Sequence, residues 1–236
     1  QSERGRLAYA VADHLASGGR FANIIEARKF IAQQTGQTAK AGTIEAKQVD
    51  EAIEAGTVIA ARRIVAEGRS ARETFQSLLG LYNRQPNLNA RTSTSMIQQA
   101  YSTPLPLAYV AAQLAGINQN TTVYEPSAGH SALLVTAKPE NVIANELNAE
   151  RAAAVRDILP GAKVTEHDAA DWKPAQSVDR VITNPPFGPV KDANGQNRRF
   201  KIDGKYETSE IDHAIAFEAL QAMKDAGKAV LIVPGF

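Results

Sequence analysis

The 236-residue chain has no cysteine. That excludes a disulfide framework, a thiolate metal site and a cysteine nucleophile. Histidine is scarce as well. Four residues without ligand-like spacing argue against zinc, and no metal is expected. No apolar run approaches membrane-spanning length, so no membrane segment is expected. The chain starts at Gln1 without a basic-then-apolar leader, which predicts no signal peptide and a cytoplasmic location. It also lacks an initiator Met and ends at Phe236 straight after an apolar run. Both features suggest a piece of something longer, with other domains of that parent chain as candidate partners. An excess of one charge is missing too. The net charge is +1, so any nucleic-acid contact must come from local patches. What remains is globular material, 44% apolar, with room for one full α/β domain and a smaller companion.

Residues 1–91 read as an all-helical region. Leu7, Val11 and Leu15 share a helical face, as do Ile24, Ala27 and Ile31. Gly18-Gly19 separates these two helices. Residues 35–43 are small and polar, which predicts a loop. A longer helix follows, with Val49, Ile53, Ala60 and Ile64 on one stripe. Ser70-Ala71-Arg72-Glu73 has the pattern of a capping box and opens a helix whose Phe75, Leu78, Leu79 and Tyr82 should face inward. Arg62, Arg63, Arg69 and Arg72 cluster near that junction and read as a solvated helix surface before a phosphate-contacting patch. No catalytic motif falls in this region. Its apolar faces need burial, so it should pack as a helical layer on the rest of the chain. Residues 86–91 read as a linker.

The pattern changes from residue 92. A helix carrying Leu107, Val110, Ala111 and Leu114 is closed by Gly116. Five strand-like runs follow, at 122–124, 141–145, 163–166, 178–183 and 229–233. Helical stretches at 131–137, 149–159 and 211–226 separate most of them. This alternation predicts a doubly wound, largely parallel α/β sheet over residues 92–236. Such sheets bind ligands at the C-terminal ends of their strands.

Those strand ends are polar in consecutive order. The first leads into Glu125-Pro126-Ser127-Ala128-Gly129-His130-Ser131, a glycine-containing turn whose amides can approach a ligand closely. The second ends at Glu146-Leu147, where a carboxylate can accept from both hydroxyls of a ribose. Glu146 also reads as a plain helix-start charge beside the Asn148 N-cap. The third ends at Asp168-Ala169, where a carboxylate can accept from an exocyclic amine such as that of adenine. The fourth, Val178–Thr183, breaks at Asn184-Pro185-Pro186-Phe187. Two prolines remove the backbone donors that a sheet needs. An amide side chain, a proline carbonyl and an aromatic ring are left together. Beyond that turn, Lys191, Arg198, Arg199, Lys201 and Lys205 stand against Asp192 and Asp203. This segment reads either as a solvated insertion or as a flap that meets phosphates.

Taken together, residues 101–236 resemble the S-adenosylmethionine-dependent methyltransferases, with their Rossmann-like sheet. More narrowly they are similar to the adenine-N6 DNA methyltransferases, including modification subunits of type I restriction systems. They also look like methylase domains embedded in large phage- or plasmid-encoded proteins. Tyr101-Ser102-Thr103-Pro104 resembles the family's Tyr-Thr-Pro segment, Glu125-Pro126 to Gly129 its cofactor loop, and Asn184-Pro185-Pro186-Phe187 its catalytic tetrapeptide. Residues 212–234 resemble the next helix and strand. The resemblance implies S-adenosylmethionine as cofactor. It assigns Tyr101, Thr103, Pro104, Glu125, Pro126, Ser127, Gly129, Glu146, Leu147, Asp168, Ala169 and Asn184 to its binding, and Asn184, Pro185, Pro186 and Phe187 to catalysis. It implies DNA as partner, with the target adenine extruded from the duplex.

Two features depart from the family. Its cofactor loop usually carries a second glycine where this chain has Ser131, placing a side chain near the methionine end of the cofactor. Its sheet has further strands, whereas this one is truncated after the fifth. Three functions follow as expectations. They are adenine-N6 methylation of DNA; methylation of another amino nitrogen, such as guanine N2 in RNA or a protein glutamine; and a catalytically inactive binding module of the same fold.

Overall fold

A computed structural model describes residues 2–36, 44–85 and 102–235. The expected linker at 86–91, Tyr101 and most of the expected loop at 35–43 lie outside the described residues. Among the described residues, four helices come first: α1 (Glu3–Ala16), α2 (Ile24–Thr35), α3 (Ile44–Ala66) and α4 (Ala71–Arg84). Then follow α5 (Leu105–Ala115), β1 (Val123–Glu125), β2 (Val142–Asn145), α6 (Ala149–Ile158), β3 (Lys163–Thr165) and β4 (Val178–Thr183). A hairpin of β5 (Phe200–Ile202) and β6 (Tyr206–Thr208) precedes α7 (Ile211–Gln221) and β7 (Met223–Leu231).

The main sheet is entirely parallel, in the order β3-β2-β1-β4-β7. Alternation along the strands sorts its side chains onto two faces. Val123, Ala144 and Ile182 join a core shared with helices α1 to α6. Tyr124, Ile143 and Val181 join a second core with Ala219 and Ala222 around the end of α7. Helices therefore cover both faces, and the doubly wound α/β expectation holds.

The first core does not stop between the two parts of the chain. Val11, Ile53 and Leu78 belong to the same cluster as Leu134 and Val155. Helix α3 is central to it and is buried nearly all round from Ala55 to Ala61. Only the absence of a side chain at Gly56 lets α1 approach. A Cβ there would stand 2.5 Å from the Ala8 carbonyl oxygen and 2.6 Å from the Val11 Cβ. Polar contacts cross as well. The Tyr9 hydroxyl donates to the Asp157 carbonyl and Arg4 to that of Glu150.

Several helix expectations need correction. The capping box at Ser70 and Glu73 is present. However, α4 buries Thr74, Leu78 and Leu81, and Tyr82 points outward. On α5 the small residues Ala108, Ala111, Ala112 and Ala115 face the core, while Leu107, Val110 and Leu114 are exposed. The helix expected at 131–137 is a single 3-10 turn, Ala132–Leu134. Helix propagation fails because Ser131 is left-handed, the Leu134 carbonyl accepts the Ala137 amide three residues on, and Arg62 binds the Leu134 and Ala137 carbonyls. The last helix ends at Gln221 rather than Ala226, because Met223 already pairs with Val178. The last strand ends at Leu231, and Val233 is exposed.

Candidate functional site

The C-terminal strand ends open onto one cavity of about 820 Å³. Of the residues singled out in the sequence, it is lined by Thr103, Glu125, Pro126, Ser127, Gly129, Glu146, Leu147, Asp168, Ala169, Asn184, Pro186 and Lys191. Pro104, Pro185 and Phe187 adjoin it in sequence but are not part of its lining. The lining includes side chains from α3 that sequence reasoning left out: Lys47, Glu51, Glu54 and Val58.

The strand ends are knitted together by Asn145, which the sequence reading passed over. Its Nδ2 donates to the carbonyls of Pro126 and His167, at 3.1 and 2.8 Å. Its Oδ1 accepts from the Thr165 hydroxyl and the His167 amide, at 2.7 and 3.0 Å. A buried amide must find such partners, and these four tie the loops after β1, β2 and β3 into one rim. The signal was available: an asparagine closing an otherwise apolar buried strand.

Two carboxylates line the cavity with different surroundings. Glu146 Oε2 accepts the Gly129 amide at 2.9 Å. Its Oε1 accepts the Asn148 amide at 2.9 Å and the Arg151 guanidinium at 3.1 and 3.2 Å. The helix-start reading of Glu146 is thus realised, and the residue also belongs to the cavity lining. Glu125 is only 1% exposed and receives the Ser127 amide at 2.8 Å. Burial pushes its carboxyl up to about 8, with the Glu146 charge adding to the rise. At neutral pH it is mostly protonated and offers a donor as well as an acceptor.

Asp168 accepts the Ala170 amide at 3.1 Å and the Arg198 guanidinium at 3.0 Å. Arg198 also stacks over the Phe200 ring, 4.8 Å from its centroid. One of the five basic residues grouped as a phosphate-facing set is therefore folded back onto a cavity wall. Lys191 lies at the cavity mouth, and Arg199, Lys201 and Lys205 are exposed on the β5–β6 hairpin. The earlier arginine cluster is mostly the solvated surface that was expected, with Arg62 turned inward as the exception. Arg62 binds two carbonyls, Arg63 pairs with Asp13 and Arg69 with Glu67.

Asn184 Nδ2 donates to the Thr103 hydroxyl at 3.0 Å. With its nitrogen so engaged, the amide presents Oδ1 as an acceptor. The turn after it is held by Asp212, whose Oδ1 accepts the Gly188 amide at 3.3 Å. Next to Thr103, the Ser102 hydroxyl donates to Glu54 at 2.8 Å. Glu54 and Glu51 in turn hold His130 in the loop after β1. The His130 Nδ1 lies 2.7 Å from Glu54 and its Nε2 lies 2.6 Å from Glu51. The imidazole is 7% exposed, and the two carboxylates 14% and 27%. Burial alone would lower the His130 pKa, but the two carboxylates outweigh it and hold it at about 10. Both glutamates sit below the usual carboxylate range despite burial, because of the same imidazolium.

No family model and no curated protein matches the chain. Solved structures with a related fold are found at low identity. A protein from Pyrococcus horikoshii described as an RNA methyltransferase is 21% identical, with a TM-score of 0.45 over 64% of this chain and 70% of its own. TrmN from Thermus thermophilus is 16% identical, with a TM-score of 0.41 over 68% of this chain and 55% of its own. A protein from Listeria monocytogenes described as a class I S-adenosylmethionine-dependent methyltransferase is 16% identical, with a TM-score of 0.48 over 99% of this chain and 74% of its own.

Proposed function

We propose that this chain transfers a methyl group from S-adenosylmethionine to an exocyclic amino nitrogen, with adenine N6 in DNA as the target. The donor set suits such a cofactor. A cavity of about 820 Å³ is within the usual range for small-molecule sites. Glu146 at the end of β2 is an acceptor for ribose hydroxyls, and Asp168 with Ala169 after β3 an acceptor wall for the adenine edge. The space beside the Gly129 Cα is open, with nothing within 4 Å of where a Cβ would stand. Thr103, Pro126, Ser127 and Leu147 complete the surround. When bound, S-adenosylmethionine supplies an electrophilic methyl group on a cationic sulfur.

The observation that carries the reading is the orientation of Asn184. Asn184 lines the cavity and its Nδ2 donates to Thr103, which leaves Oδ1 as an acceptor for a substrate amine. An exocyclic amine is a poor nucleophile because its lone pair is delocalised into the ring. Asn184 Oδ1 and the Pro185 carbonyl would each accept one of its N–H bonds, drawing the nitrogen towards tetrahedral geometry and freeing the lone pair. Holding amine and methyl donor in line lowers the barrier by an amount that reaches roughly 7–11 kcal/mol in favourable systems. Phe187 would stack on the base once it has left the duplex. The proton lost from nitrogen leaves after methyl transfer, and no covalent enzyme intermediate is needed. The choice of DNA adenine is supported by motif order, with cofactor loop before catalytic turn. Lys191, Arg199, Lys201 and Lys205 are available for phosphates.

The test is product analysis of Asn184→Ala beside the unchanged protein, on unmethylated DNA and RNA. The unchanged protein should yield N6-methyladenine in DNA. The variant should lose turnover by roughly 100-fold or more while binding cofactor almost normally, because this bond strengthens in the transition state. Methylated guanine in RNA would move the target to a different amine. A variant as active as the unchanged protein would remove Asn184 from the chemistry.

A further inference from the structure

Helix α3 meets the connection between β1 and β2 with one stripe of side chains. Lys47, Glu51, Glu54, Val58 and Arg62 follow one another at steps of three or four, so they share a face. The first four line the cavity. Arg62 reaches past it and donates to the Leu134 and Ala137 carbonyls at 2.8 and 3.1 Å. Glu51 and Glu54 hold His130 at the start of the same connection. One helix face thus grips the cofactor loop at both ends.

The segment gripped is strained. Gly129 has φ +54 and Ser131 has φ +67. The left-handed region favours glycine, and another residue stays there when its surroundings over-determine it. The Ser131 side chain brings no compensation, since its buried Oγ has no hydrogen-bond partner. The restraint lies next door, at His130. Both ring nitrogens are bound by carboxylates whose helix is itself packed in the core.

We propose that Glu51 and Glu54 are positioning residues of the cofactor site. By clamping His130 they hold the turn at 129–131 in the shape that receives the amino-acid end of S-adenosylmethionine. This rests on reading the cavity as that cofactor's site. It extends the site into residues 44–66, outside the segment that carries the methyltransferase resemblance. It also explains how serine stands where the family has glycine: the clamp supplies the restraint that glycine makes unnecessary.

Two ligands separate this role from a general structural one. S-adenosylhomocysteine and 5′-methylthioadenosine share the adenosine and the thioether sulfur, but the amino-acid end belongs to the first alone. Calorimetric titration of the whole chain with both is the experiment. Glu54→Gln should weaken S-adenosylhomocysteine by about tenfold, the order of one or two hydrogen bonds to the loop, and leave 5′-methylthioadenosine within about twofold. Adding Ser131→Gly should restore S-adenosylhomocysteine binding, because glycine holds the left-handed turn without the clamp. Equal losses for both ligands, or no loss for either, would overturn the proposal, as would a folded double variant that stays weak. If Glu54→Gln alone does not fold, the double variant carries the comparison. Failure of that variant to fold as well would show that the pair supports the fold at large and not the turn. Unchanged protein that binds neither ligand would remove the cofactor reading itself, and the clamp's role with it.

Discussion

Two connections leave neighbouring strands of the sheet and are held in opposite ways. The one after β1, residues 126–141, is mostly buried and gripped from far away in the chain. Its partners Glu51, Glu54 and Arg62 lie more than seventy residues earlier. The one after β4, residues 184–210, is mostly exposed and, past the bond from Asn184 to Thr103, is held by nearer neighbours. Its hairpin closes on Asp203 and Gly204, Asp192 caps its own turn, and Arg198 reaches across to Asp168. Buried charged contacts between distant segments resist local opening, whereas exposed ladders with few apolar contacts open easily. On the proposed function, the difference suits a fixed wall for a cofactor and an adjustable flap for a macromolecular substrate.

The largest expected effect comes from breaking the fixed side. His130→Ala leaves Glu51 and Glu54 buried without their cation, and removing one partner of a buried ionic group typically costs about 3–5 kcal/mol. Chemical denaturation should show that loss, and a change below about 1 kcal/mol would mean that the clamp is not a stabilising contact. The same cluster sets a pH dependence. The His130 pKa is raised on folding, so its contribution is complete below its unfolded value, near 6.5, and is lost as pH rises through about 10. Glu51 and Glu54 are lowered, so their contribution exists above their unfolded value and is lost as pH falls through the lowered one. Glu125, raised to about 8, adds a decline that starts above its unfolded value and is complete by about pH 8, because the unfolded chain ionises this carboxyl while the folded one keeps it protonated. Glu146 and Arg151 also face the cluster. Melting temperature should therefore peak in mildly acidic buffer and fall steadily towards pH 10. A Glu125→Gln variant should fall less steeply, and an identical slope would take Glu125 out of the account.

The next effect concerns ligand binding at the fixed wall. Glu146→Ala removes one charged acceptor and should weaken S-adenosylmethionine by about 1.5–3 kcal/mol in a calorimetric titration. The protein should remain folded, and unchanged affinity would exclude Glu146 from the ribose contact. A smaller effect is expected from Ser131→Gly in the otherwise unchanged chain. Relief of the left-handed penalty of roughly 1–2 kcal/mol is partly offset by the greater freedom of glycine when unfolded. A net gain in melting temperature would support the strain, and a clear loss would contradict it. The smallest stability effect belongs to the flap. Lys201→Ala and Lys205→Ala together should alter stability by less than about 0.5 kcal/mol. They should flatten the salt dependence of DNA binding, since each phosphate contact contributes roughly one unit to that slope. A salt dependence that stays the same would take the hairpin away from the phosphates.

Much of the fold was legible because it is written in local periodicity. Val178–Thr183 reads as a strand from the β-branched residues Val178, Val181 and Ile182, and the parallel sheet follows from alternation with helices. The polar strand ends were legible for the same reason, and the structure brings Glu125, Glu146, Asp168 and Asn184 to one cavity. The hairpin was missed although its signal was present. Ile202 pairs with Tyr206, so Asp203-Gly204-Lys205 is a three-residue connection with φ positive at Asp203 and Gly204, but the segment was weighed mainly by its charge.

What the sequence alone determined is which elements form and which strand ends are polar, since both depend on neighbours within a few residues. Tertiary structure alone decided that α3 is a core helix and that its second stripe, from Lys47 to Arg62, faces the connection after β1. On a helix met in isolation, glutamates and an arginine at that spacing read as a solvated face. They become a clamp when the loop after β1 brings His130 and the carbonyls of Leu134 and Ala137 against them. Burial then raises the strength of the ion pairs and the cost of leaving any of these groups alone. The same holds for Ser131, whose left-handed backbone is an ordinary serine in the sequence and a strained one only where the fold confines it.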